Sequence, residues 1–158
     1  MSDTFDRLGI FPFLVAGAGL LLLGLLATDH IVNNFWPFDV TRLDLVRATA
    51  LDQVDATSIM DAANGQILMA FLASVAVATT GLVMPLIYYA NVRFREGVES
   101  PSFLIIVRQA MWVGLWLAFC LWLQMNRSLG IAVAGLVAAV LLTFEVLLQV
   151  RDRASSIQ

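Results

Sequence analysis

Two charges stand inside stretches that are otherwise apolar and of membrane-crossing length: Arg108, in the run that follows Pro101, and Glu145, in the last apolar run before Arg151. A charged side chain near the centre of a bilayer costs at least ~2.5 kcal/mol on insertion scales, so each of them calls for a compensating group. Arg108 lies seven residues after Pro101 and Glu145 six before Arg151. At the helical rise both are then roughly 10 Å in from the same side of the membrane, and on neighbouring antiparallel helices they meet at one level. Two chemistries suit such a pair. An ion pair of Arg108 with Glu145 fixes helix register, the guanidinium reaching back toward the headgroups. Alternatively Glu145 holds a proton, a cation or a polar ligand head, with Arg108 tuning its affinity, in the manner of intramembrane carboxylates in pumps.

The flanking residues extend the register. Setting 108 against 145 brings Leu115 level with Ala138 and Phe119 level with Ala134, so that bulk faces small residues. Arg108, Trp112, Leu115 and Phe119 recur at spacings of three and four, while Ala134, Ala138 and Glu145 share a face of the last run, so one seam serves both packing and charge. Trp112 is also placed to stack on the guanidinium.

Other chemistry is sparse. His30 is the only histidine, beside Asp29, and reads as a solvated residue at the end of the first run. Cys120 is the only cysteine, which excludes an intrachain disulfide or a Cys-x-x-Cys pair; amid Phe119 and Trp122 it reads as a small buried hydrophobe. No nucleophile with a base, metal-ligand set or phosphate loop is present, so the expectation is a protein that is not an enzyme, with no metal and no required cofactor. The four tryptophans leave room for a bound lipid, quinone or pigment.

The elements that must position the charged pair follow from composition. Of 158 residues 60% are hydrophobic and only 13% charged, with a mean hydropathy of +0.86, whereas soluble domains are about a quarter charged. Nine arginines, no lysine and twelve acidic residues give a net charge of −3 and no basic patch, which argues against nucleic acid as a partner.

A crossing helix needs about 20 mostly apolar residues, and four spans qualify, about 8–28, 62–92, 102–124 and 129–150. The predicted fold is an all-α integral membrane protein, a single domain of four transmembrane helices in an antiparallel bundle. No signal-peptidase site follows the first run, so it reads as a retained span. Its Ala16, Gly17, Ala18 and Gly19 would admit a close neighbour. Pro85 predicts a kink in the second span. Ser100 and Pro101 read as cap and first residue of the third, and the few residues around Asn126 and Arg127 make spans three and four a tight hairpin.

The polar segment 29–61 is expected to lie outside the bilayer. Thr41-x-x-Asp44 and the spacing of Leu43, Val46, Ala50 and Val54 predict a short amphipathic helix in this first loop, and Ser58-x-x-Asp61 a cap for the second span. Trp36, Tyr88 and Tyr89 suit interfacial anchors. Arg7, Arg93, Arg95, Arg151 and Arg153 fall on one side and Arg42, Arg47 and Arg127 on the other, which puts both termini in the cytoplasm of a prokaryotic cell.

In span count the chain resembles the small multidrug transporters, but those carry their essential glutamate in the first span, and residues 8–28 contain none. Tetraspanins and quinone-linked thiol oxidoreductases share the layout and require cysteines that are absent here. The expectation is therefore a noncatalytic membrane subunit that packs against and stabilises a larger respiratory, photosynthetic or transport complex, its partners being the bilayer and other integral membrane subunits. The alternatives are a small oligomeric transporter or proton-coupled carrier using Glu145, or a lipid- or quinone-directed membrane enzyme.

Overall fold

The computed structural model describes residues 10–35, 47, 50, 51, 64–94 and 103–155. Among them are four long helices and no strand: α1 (Phe11–Asn34), α2 (Gly65–Phe94), α3 (Phe103–Met125) and α4 (Ile131–Ser155). Each is long and apolar enough to cross a membrane. The amphipathic helix expected within 41–54, Trp36, the Ser58 to Asp61 cap and the Ser100-Pro101 start all lie outside the described residues, except that Leu51 N–H donates to Arg47 O at 3.2 Å.

The polar residues that begin at Asp29 do not end the helix, for α1 continues to Asn34. Its last turns are polar but make their own helical contacts, with Asn33 Nδ2 donating to Asp29 Oδ1 at 2.9 Å and Asn34 Nδ2 to His30 O at 2.9 Å. Hydropathy marks where an apolar slab would end, and a helix with satisfied i,i+4 pairs runs past that edge. His30 and Asp29 are exposed there. At the start of α2 Asn64 is the cap, its Oδ1 accepting from Gln66 N–H at 3.2 Å and Ile67 N–H at 3.5 Å.

α2 is the hub, packing on one side against α1 and on the other against α3, whereas the main contact of α4 is with α3. Close approach of α1 to α2 is set by glycine. Pro85 has no N–H, so Gly81 O lacks its usual partner four residues on. Gly17 fills the place. A Cβ on Gly17 would lie 2.6 Å from Gly81 O, and one on Gly81 would lie 2.5 Å from Gly17 O. Each Cα–H thus meets the other carbonyl, a contact of about 0.5–1 kcal/mol. Gly24 is pressed in the same way on the backbone of Ala78, while Gly19, in the same small-residue run, has nothing within 4 Å. On the other side of α2, Gly114 of α3 sits against Thr80 Oγ1 and Ala76 O.

The hydroxyls of α2, buried at Ser74 and Thr80 and partly buried at Thr79, are satisfied within the helix, Ser74 on Phe71 O, Thr79 on Val75 O and Thr80 on Ala76 O, which makes them tolerable in an apolar setting. Ser74 Oγ also meets Thr28 Oγ1 of α1 at 2.8 Å. Apolar side chains fill the remaining space in two clusters, Phe13, Met84, Ile106 and Ala110 in one and Leu68, Leu72 and Ala118 in the other. Tyr88 belongs to the first of these. Its ring stacks on Phe13 at 4.5 Å, so it packs α1 against α2, while Tyr89 is exposed. Cys120 is buried.

α3 ends in a Schellman turn. Arg127 has φ 52°, its N–H donates to Gln124 O at 3.0 Å, and Ser128 N–H donates to Leu123 O at 3.0 Å. A left-handed arginine carries a penalty of about 1 kcal/mol that glycine lacks. Arg127→Gly is therefore expected to raise Tm in mild detergent by roughly 2–4 °C, and a fall would show that the Arg127 side chain stabilises the turn by more than its backbone costs.

Candidate functional site

The site is built where α4 meets α3. Glu145 is 7% exposed, and both of its oxygens are engaged twice. Oε1 accepts from Arg108 Nη2 at 3.1 Å and from Gln149 Nε2 at 2.8 Å. Oε2 accepts from Trp112 Nε1 at 2.9 Å and lies 3.1 Å from Arg108 Nε. A carboxylate has about four acceptor positions, and here each has a donor or a guanidinium contact. Helical spacing supplies the donors, because Arg108 and Trp112 are one turn apart on α3 and Glu145 and Gln149 one turn apart on α4. A second tie lies two turns along, where Trp116 Nε1 donates to Ala134 O at 3.1 Å.

The residues expected to form this seam divide. Arg108, Trp112, Ala134 and Ala138 all lie at the α3–α4 contact or the cavity beside it. Leu115 and Phe119 do not. They are 49% and 41% exposed, and Phe119 instead lies tilted against Trp122. The α3 side chains bonded to α4 are Arg108, Trp112 and Trp116, each one turn from the next, while Gln109 and Val113 line the cavity and Gln109 is bonded to Asn91 of α2.

Beside the contact is a cavity of about 600 Å³ between α2, α3 and α4. Ile87, Ala90 and Asn91 contribute from α2, and Ala138, Leu141, Leu142, Glu145 and Gln149 are among its walls on α4. Asn91 Nδ2 donates to Ile87 O and to Gln109 Oε1, both at 2.9 Å, so α2 and α3 are bridged by amides at the cavity wall. Trp116, Asn91, Gln109 and Gln149 were not singled out from sequence. Trp116 follows Trp112 by four, and three amides interrupt apolar runs on three different helices, which was the available signal.

Chemically this arrangement holds a helix in place and offers a mostly apolar recess with an amide edge. The carboxylate is already fully occupied, which suits a fixed partner better than a travelling cation. Comparison with known proteins gives no family: no family model, curated protein or solved structure matches the chain.

Proposed function

We propose that the chain is a noncatalytic integral membrane subunit, a four-helix antiparallel bundle whose α4 packs against another membrane protein. Insertion is supported by four apolar helices of crossing length. Opposed helix directions are supported by the order of the contacts, since Phe13 meets Tyr88 while Thr28 meets Ser74, and Arg108 meets Glu145 while Trp116 meets Ala134. The arginine distribution supports both termini in the cytoplasm.

The observation that carries the partner reading is the isolation of α4. Only 6% of its apolar window is buried, against 39% for α2, although a buried ion pair is spent on fixing its position. Lipid can cover an apolar helix, so exposure alone does not call for protein. The exposed Ala132, Gly135, Ala139 and Thr143, however, follow one another by three or four, and Gly135 has nothing within 4 Å. Small residues in such a row allow a second helix to approach closely, which lipid does not need.

Purification of the full chain from its native membrane in mild detergent tests the proposal. Stoichiometric co-migration with a larger assembly is expected, weakened roughly tenfold, about 1.4 kcal/mol, by Gly135→Leu with Ala139→Leu. A pure homo-oligomer that performs ion-dependent uptake in liposomes, abolished by Glu145→Gln, would replace the subunit reading with a carrier.

A further inference from the structure

We infer that the cavity between α2, α3 and α4 is a binding site for a neutral membrane amphiphile with a planar, carbonyl-bearing head, that is, a molecule of the quinone class. Its volume of about 600 Å³ lies within the range of small-molecule sites. The choice among amphiphiles follows from what each wall can offer.

The first wall is aromatic and held still. Trp112 and Trp116 stand one turn apart, and their N–H groups are committed to Glu145 Oε2 and Ala134 O. With their donors used, the indoles offer the cavity only fixed apolar ring surface, which suits a flat head. The second feature is the amide edge. Asn91 Nδ2 uses both of its hydrogens, on Ile87 O and Gln109 Oε1. Gln109 Nε2 and Asn91 Oδ1 have no partner among the described residues, so the edge has a donor free for a carbonyl and an acceptor free for a hydroxyl. The third is charge. Among the described residues Glu145 is the one charged residue lining the cavity, and Arg108 neutralises it from outside the lining. A phosphate or carboxylate head would meet a carboxylate and no open cation, which excludes the common anionic lipids as the preferred occupant.

Access and tail follow from the fold. Since α4 contacts mainly α3, the cavity opens between α2 and α4, toward the lipid phase in the proposed bundle. A head against Trp112 and Trp116, its carbonyl accepting from Gln109 Nε2, leaves an isoprenoid or alkyl tail to lie along Val113, Leu141 and Leu142. The row of small residues proposed for a protein partner lies elsewhere on α4, so the two proposals can fail separately.

The test is titration of the purified full chain in nanodiscs of neutral lipid with a benzoquinone bearing a ten-carbon tail, read by tryptophan quenching. Saturable quenching is expected. Gln109→Leu should weaken binding about five- to tenfold, the size of one neutral hydrogen bond. Ala138→Phe, which fills the cavity, should abolish saturation while Tm is kept. Quenching that is linear in quinone, or unchanged in both variants, would mean partition into lipid only and overturn the proposal. So would equal competition by phosphatidylglycerol, or loss of co-migration with a larger assembly in Ala138→Phe at unaltered quinone affinity, which would assign the cavity to a partner helix.

Discussion

Glu145→Ala is expected to release α4 from α3 and to lower stability by about 2–3 kcal/mol, most of it from the charge left behind on Arg108. The magnitude comes from weighing two kinds of loss. Trp112 and Gln149 each lose a neutral donor's partner, and neutral hydrogen bonds between membrane helices average only about 0.6 kcal/mol. Arg108 loses both of its contacts to the carboxylate, and its side chain is 28% exposed, so snorkelling recovers part of the penalty but not all of it. The double variant Arg108→Leu with Glu145→Leu removes both charges and should restore most of the stability, since apolar replacement of a buried pair is often neutral or better. Accordingly, Tm in mild detergent should fall in Glu145→Ala and recover in the double variant. A cysteine at Leu141, in a Cys120→Ala background, should become more reactive toward a water-soluble maleimide only in the single variant. If Arg108→Leu and Glu145→Leu made singly had effects that simply add to that of the double variant, Arg108 and Glu145 would not be coupled.

The level at which Arg108 and Glu145 meet can be counted from Pro101 and Arg151, because depth in a helix is a simple multiple of rise. The side of α3 on which α4 rests cannot be counted in this way. Leu115 and Phe119 share a stripe with Arg108, but a stripe does not say which neighbour occupies it. Ala110, Gly114 and Ala118, spaced by four, are all buried and supply the close approach to α2, while Arg108, Trp112 and Trp116 reach α4. The same limit applies to Tyr88. An aromatic near the end of an apolar run suits an interface by position alone, and only the placement of Phe13 on α1 makes it a stacking partner. At α1 the apolar content ends at Thr28, while the hydrogen bonding of Asp29, His30, Asn33 and Asn34 carries the helix on. The cavity was not legible at all, because it is a space left between three helices rather than a pattern along one.

The glycines of α1 and α2 give the sharpest contrast between contact and open space. Gly24→Leu and Gly81→Leu are each expected to cost about 3 kcal/mol, the upper end of overpacking penalties, and so to lower Tm by roughly 6–12 °C. Gly19→Leu, one turn and a half from Gly24, should change stability by less than about 0.5 kcal/mol because nothing lies within 4 Å of it. The penalty is high because the obstructing atoms belong to the backbone. A Cβ on Gly81 would meet Gly17 O at 2.5 Å and Leu20 Cβ at 2.9 Å, and one on Gly24 would meet Ala78 Cα and Cβ at 2.6 Å. Backbone cannot turn aside as a side chain can, so α1 must move away from α2 as a whole. That movement would also separate Thr28 from Ser74 and Phe13 from Tyr88. Pairing Gly24→Ala with Ala78→Gly should restore only part of the loss, because the exchange removes the clash with the Ala78 methyl and leaves the one with its Cα. Full recovery would locate the constraint in side-chain volume alone, and equal penalties at Gly19 and Gly24 would mean that the cost does not come from contact with α2, since helix propensity favours leucine over glycine at both.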